Sequence, residues 1–292
     1  MRTPRKVSGR RAREAARMYT NTTYLPPAGV DLERLDREIA AMYRDVANET
    51  ARDLHFPTGR GLAQALGYPA DLLDHLPGGA VTSFAGVGYH LGLAGLLPGE
   101  AVLDLGSGSG MDAFAAAVAV GPLGSVTGIV ITPEQLTKAE PLGRDRRVTF
   151  VHGRIEALPF EDRSFDAVIS NGVINLSPDK RTAFAETARV LRPGGRLALS
   201  DIVTDRPIVA RTVGQADLWA ACIAGASQTD AHLEDIAAAG LELHRLRANP
   251  GYGFTSDRAR STSAKYGARS ISLVALKPTL TNNTNTTQEV SQ

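Results

Sequence analysis

Five residues, Ala101-Val102-Leu103-Asp104-Leu105, form a short strand-like run that ends directly in Gly106-Ser107-Gly108-Ser109-Gly110. Three glycines at alternate positions admit a tight turn and leave no Cβ between the main chain and a ligand. A helix opening at Met111 would aim its first N–H groups and its positive dipole end at the same place. A glycine triplet alone is also compatible with a loop that binds nothing. The order strand, loop, helix favours a nucleotide-like ligand.

From Glu100 onward, strand and helix patterns alternate. A helix over 112–120 stops at Gly121-Pro122, and a strand follows over 125–131. Thr132-Pro133-Glu134-Gln135 reads as a capping box, with Thr132 as N-cap, Pro133 at N1 and Gln135 at N3. Its helix is short and halts at Pro141. Strands over 148–151 and 165–170 come next. Ser177-Pro178-Asp179 opens a helix that runs to Val190 and ends at Pro193-Gly194-Gly195, before a fifth strand over 196–202. Such runs predict a doubly wound, mostly parallel α/β sheet with crossover helices on both faces. Ligands in these sheets bind beyond the carboxyl ends of the strands, where the glycine loop lies.

The flanks read differently. Apolar residues Leu32, Leu35, Ile39, Met42 and Val46 recur at steps of three and four, which predicts a helix over 31–51. Two short helices over 61–66 and 70–76 are broken at Gly67-Tyr68-Pro69. Ser83-Phe84-Ala85-Gly86-Val87-Gly88-Tyr89-His90 fits neither helix nor strand, and a helical turn or two over 91–97 ends at Pro98-Gly99. Beyond the core, helices are expected over 213–224 and 231–239, the second capped by Gly240. Late strands over 241–246 and 270–276 flank a loop at Asn249-Pro250-Gly251-Tyr252-Gly253-Phe254. The expected organisation is a basic, flexible arm (1–30), a helical extension (31–98), the ligand-binding core (99–205), a cap region with final strands (206–278) and a polar, disordered tail (279–292).

With 292 residues and a net charge of +1, the chain offers no electrostatic case for nucleic acid or membrane surfaces. Arg2, Arg5, Lys6, Arg10, Arg11, Arg13 and Arg17 crowd the start and read as a solvated arm or an interaction site. No run is long and apolar enough for a transmembrane helix or a secretory signal. Cys222 is the single cysteine, so no intrachain disulfide can form, which fits a cytoplasmic location. It reads equally as a small buried core residue or as a ligand or reactive thiol. His55 and His90 read as structural or as polar pocket residues.

The run Val102 to Gly110 resembles the first motif of class I methyltransferases that use S-adenosylmethionine, whose sheet is Rossmann-like and of seven-stranded type. Further stretches are similar to the arsenite methyltransferases among them: Ser170-Asn171-Gly172-Val173-Ile174-Asn175-Leu176-Ser177-Pro178-Asp179-Lys180, Val190-Leu191-Arg192-Pro193-Gly194-Gly195-Arg196, Ser200-Asp201, Ala85-Gly86-Val87-Gly88 and Trp219-Ala220-Ala221-Cys222-Ile223-Ala224-Gly225-Ala226. The resemblance covers residues 80–240. It implies that Asp104 and the loop Gly106, Ser107, Gly108, Gly110 and Met111 hold the methionine end of the cofactor. Val130 and Ile131 then stand at the ribose, Ile155 and Glu156 flank the adenine, and Asn171 lies near the sulfonium.

Two departures stand out. The family has an acidic residue at the end of the second strand, for the ribose hydroxyls; Val130 stands there, and Glu134 is the nearest substitute. A charge-assisted contact is worth about 1.5–3 kcal/mol, so its loss weakens binding on the order of ten- to a hundredfold. The family also binds trivalent arsenic through three cysteines, at positions matched here by Val87, Gly172 and Cys222. A thiophilic centre needs thiolates, so an arsenical here would complete its shell with glutathione or another external thiol. The resemblance implies an enzyme that methylates a small soft nucleophile, with Cys222 as the candidate catalytic and metalloid-ligating residue and no metal ion. Another thiol, a selenol or a small metabolite is an alternative acceptor, and a non-catalytic binding protein of the same fold is a third reading.

Overall fold

The computed structural model describes residues 31–48, 54–144, 146–209, 219 and 223–279. The expected arm and nearly all of the expected tail lie outside the described residues, as does most of the 213–224 helix.

Strand β1 (Ala101–Leu105) lies at the centre of the sheet, paired in parallel with β2 (Ser125–Val130) on one side and β4 (Phe165–Asn171) on the other. All five of its residues are buried. That is why it reads as a continuous apolar run rather than an alternating one. Strands β3 (Val148–His152), β5 (Leu191–Thr204), the two-residue β6 (Ser227–Gln228), β7 (Glu242–Ala248) and β8 (Arg269–Leu276) complete it. The order is β3-β2-β1-β4-β5-β8-β7, with β6 paired to β5 and β8 antiparallel to both its neighbours.

The helical extension holds α1 (Leu32–Asn48), α2 (Gly59–Ala65), α3 (Ala70–His75), α4 (Gly78–Thr82) and α5 (Leu91–Ala94). Crossovers are made by α6 (Met111–Val120), α7 (Pro133–Gly143) and α8 (Lys180–Val190), and α9 (Thr229–Ala238) and α10 (Asp257–Tyr266) follow. Val102 faces α6 and the extension, where Met111, Phe114, Tyr68 and Phe84 pack. Leu103 and Leu105 face the opposite layer, with Phe184, Ala188 and Ile236. A third cluster, with Leu35, Val87, Ile202, Trp219 and Ile223, ties α1 to the segment after β5. No helix among the described residues is long and apolar enough to cross a membrane.

Three expectations need correction. Helix α7 does not halt at Pro141 but runs to Gly143. A proline there removes one N–H bond in the last turn, too late to unwind the helix. Strand β5 begins at Leu191 rather than 196. The residues around Pro193-Gly194-Gly195 are absorbed as a register shift opposite Phe165 and Ala167, and Gly194 N–H still bonds the Lys277 carbonyl at 2.8 Å. Helices α4 and α10 were not expected. In α10 only Ala259 and Tyr266 are buried, so the sequence carries almost no apolar period. Its signal is the Ser256 cap, which accepts from Ala259 N–H, and the left-handed Gly267 after it.

Candidate functional site

The loop after β1 is left-handed at each glycine, with φ of 63° at Gly106, 55° at Gly108 and 97° at Gly110. Side chains crowd it from outside. A Cβ on Gly106 would meet Val173 Cγ2 at 2.5 Å, and one on Gly110 would meet Phe150 Cζ at 2.6 Å. Ser107 N–H bonds the Ile129 carbonyl at 3.0 Å, which pins the loop to the end of β2.

Three side-chain oxygens of this wall have no hydrogen-bond partner among the described residues. Asp104 Oδ2, Ser107 Oγ and Ser109 Oγ are buried and make no hydrogen bond. Asp112, in the first turn of α6, is buried beside Asp104. Burial, and then repulsion from Asp112, push the Asp104 carboxyl well above the usual range, against a hydrogen bond from Ala113 N–H. An unpartnered buried carboxylate is costly. A cation placed here offsets that cost and satisfies the free oxygen.

Two adjoining cavities open at this end of the sheet, and both reach Gly106, Ile39, Ile131, Val173 and Leu176. The first is lined by Asp104, Gly106, Ser107, Gly108, Met111, Val130, Ile131 and Asn171. The second is lined by Ile155 and Glu156. The candidate positions over the described residues thus converge on one continuous space, except Gly110, which turns the chain into α6 behind the wall. Glu156 is buried, accepts from Ser177 Oγ at 2.6 Å and lies 3.4 Å from Arg154, so it belongs to the site rather than to a solvated turn.

Helix α1 roofs both cavities through Ile39, and its Asp36 pairs with Arg154 at 3.1 Å. The sequence showed its amphipathic face without showing what that face covers. At the end of β2, Thr132 is the N-cap of α7 by backbone angle, but its side chain makes no cap bond. The expected capping box is not formed. Thr132 and the buried Gln135 line the first cavity instead, and Gln135 Nε2 lies against Gly108. Glu134 does not line it, so Gln135 rather than Glu134 is the polar group facing the Val130 region.

Asn171, at the end of β4, has its amide fully engaged. Oδ1 accepts from Val87 N–H at 2.7 Å and Gly88 N–H at 3.3 Å; Nδ2 donates to Gly88 carbonyl and to Asp112 Oδ2, both at 2.9 Å. Residues 85–89 are thereby bound to the rim. A Cβ on Gly172 would lie 3.2 Å from Val87 Cγ1, so these two positions are in contact. Trp219 and Ile223, which flank Cys222 in sequence, pack in the same cluster as Val87. Cys222 itself lies outside the described residues. His90 is buried with its pKa lowered by burial, and His55 bonds Ser256 at 2.8 Å; neither lines the cavities.

Known proteins share this arrangement. A family model described as a methyltransferase domain matches residues 96–250. An arsenite methyltransferase of Halobacterium salinarum is 44% identical over 171 residues, covering 58% of this chain and 44% of that one. The human arsenite methyltransferase is 40% identical over 137 residues, 43% of this chain and 36% of its own length. The chain therefore spans less than half the length of these two curated relatives. A solved arsenic(III) S-adenosylmethionine methyltransferase from Chlamydomonas reinhardtii superposes with a TM-score of 0.56 and 32% identity, over 77% of this chain and 76% of that one.

The tightness of the glycine loop has a direct consequence. Gly106→Ala forces a side chain into the left-handed region and against Val173, and is expected to lower the unfolding free energy by about 1–3 kcal/mol. Denaturant unfolding measures it; unchanged stability would mean the loop is looser than described.

Proposed function

The chain belongs to the methyltransferase-domain family, and on that premise we propose that it transfers a methyl group from S-adenosylmethionine to a trivalent arsenical whose shell is completed by glutathione or another external thiol. One observation supports this most. Of the positions matched to the family's thiol ligands, Gly172 lines the same cavity whose floor is Asp104 and the glycine loop, and a Cβ there would lie 3.2 Å from the buried Val87.

The residues present fit the cofactor. The buried, unpartnered Asp104 oxygen suits its ammonium, the glycine wall leaves room for its methionine end, and the Ile155–Glu156 side offers an apolar slot edged by the Glu156 and Asp36 carboxylates for adenine. When bound, the cofactor supplies a methyl group on a sulfonium that is already a good leaving group. The chain then has to align and exclude water, which is worth many orders of magnitude in rate. Helix α1 covers the cavities, and Asn171 holds residues 85–89 against them. An arsenic lone pair needs no proton removed, and no histidine or lysine is among the residues lining the first cavity. With Val87 and Gly172 apolar, Cys222 is the one thiolate the chain can add. The lone cysteine also fits a reducing, cytoplasmic setting.

Incubation with arsenite, glutathione and S-adenosylmethionine, with arsenic species separated by chromatography, is expected to yield methylated arsenicals only when the thiol is present. Cys222→Ser is expected to abolish them while leaving cofactor affinity intact. Methylation of the thiol alone would contradict the arsenical acceptor, and full turnover in Cys222→Ser would show the cysteine to be structural.

Cofactor binding should also be linked to protons. In the free chain, the raised Asp104 pKa contributes stability at low pH that is lost as pH rises through the raised value. A bound cation favours the ionised carboxylate. Binding therefore releases a proton, and affinity increases with pH across that range. Calorimetric titrations in two buffers of different ionisation heat should show net release; identical heats in both would place the cation elsewhere.

A further inference from the structure

Tyr68 lies in the turn between α2 and α3, outside the segment matched to the methyltransferase domain, yet its hydroxyl meets Asp112 and Asn171, which line the first cavity. Its ring is buried and held by Phe84, edge-on at 5.3 Å, and by Tyr89 at 4.4 Å. Its hydroxyl donates to Asp112 Oδ1 and accepts from Asn171 Nδ2 at 3.2 Å; the Gly88 carbonyl is 3.4 Å away. One hydroxyl thus touches the carboxylate at the floor, the amide at the rim and the loop that the amide holds.

The loop it holds has little freedom of its own. Residues 85–89 form neither helix nor strand, and they pass between two polar groups. On one side a Cβ on Gly86 would lie 2.4 Å from Asn171 Nδ2. On the other, a Cβ on Gly88 would lie 2.2 Å from Asn249 Nδ2, and Ser270 Oγ donates to the Val87 carbonyl at 2.5 Å. The position of this loop is therefore set by hydrogen bonds rather than by regular structure. On the floor side they run through Asn171, and Tyr68 and Asp112 fix the plane of that amide.

We propose that Tyr68 is a positioning residue for the methyl acceptor: through Asp112 and Asn171 it fixes residues 85–89 as the acceptor wall, opposite the glycine loop that holds the donor. The word acceptor rests on the methyl-transfer reading above; the clamp itself does not. Burial and the adjoining Asp112 carboxylate raise the Tyr68 pKa well above its ordinary value, so the hydroxyl stays a donor over the working range of pH.

Tyr68→Phe removes the hydroxyl and keeps the ring contacts. Hydrogen exchange of the full-length chain reads the clamp directly, because Val87 and Gly88 N–H are the groups that Asn171 accepts from. These two amides are expected to exchange about tenfold faster in Tyr68→Phe, with the amides of β1 and β4 unchanged. The calorimetric affinity for S-adenosylhomocysteine should stay within about threefold, while KM for arsenite in the presence of glutathione rises about tenfold at little changed kcat. Unchanged exchange at Val87 and Gly88 would overturn the proposal. So would faster exchange across the whole sheet, or a loss of S-adenosylhomocysteine affinity as large as the change in KM, since either gives Tyr68 a merely structural or cofactor role. If the unaltered chain methylates no arsenical, the acceptor reading fails, and the exchange result still decides whether Tyr68 holds the loop.

Discussion

A buried carboxylate beside a glycine turn sets the terms for this molecule. Asp104 sits on the central strand with one oxygen unpartnered, Asp112 close by and, among the described residues, no cation on it. Packing alone gives no reason to keep two acids there, because each loses hydration on folding. The loop that follows leaves main chain, not side chains, facing the open space. Together these make a cavity whose floor presents a buried carboxyl oxygen with no hydrogen-bond partner. The β1–β4 pairing, the α6 start and the roof of α1 all hold that floor in place.

The same carboxylates connect the floor of the cavity to its rim. Asp112 accepts from Asn171 and Tyr68, and Asn171 in turn holds Val87 and Gly88. A change in charge at the floor is felt by groups that set the rim, across one or two hydrogen bonds. On the far side Glu156, Ser177, Arg154 and Asp36 form a second polar chain that ties the other cavity to α1. The half-buried Lys180 and the buried Asp201 lie beside the segment 174–177, where Asp201 accepts from Asn175 N–H and Lys180 donates to the Ser177 carbonyl. Burial lowers the Lys180 pKa to about 8 and raises that of Asp201 to about 7.

Much of the architecture was legible in the sequence, because β1, β2, β4 and α6 are bounded by apolar runs and glycines whose causes are local. The parallel order follows from alternating elements, and the late strands fall where expected. What the sequence did not reveal depends on distant contacts. The apolar face of α1 gave a helix, but its place over both cavities depends on distant contacts, Leu35 packing with Ile202 and Trp219 and Asp36 meeting Arg154, more than a hundred residues away. Thr132 and Gln135 have the spacing of a capping box; the cavity drew both side chains away from it, a tertiary override that local spacing cannot show. Tyr68 sat in a plain turn signal, Gly67-Tyr68-Pro69, where nothing local marks a hydroxyl that meets Asp112. The departures at Val130, Val87 and Gly172 were visible as residues, but only the fold shows that Val87 and Gly172 touch.

The central claim is that one continuous site holds a methyl donor, with its ammonium at Asp104 and its adenine beside Ile155 and Glu156. A crystal structure of the chain with S-adenosylhomocysteine tests it most directly. The expected result is density running from Asp104 across the glycine loop to Glu156, beneath α1 and beside Asn171. A nucleoside bound elsewhere, or oriented with its adenine at Asp104, would contradict the account.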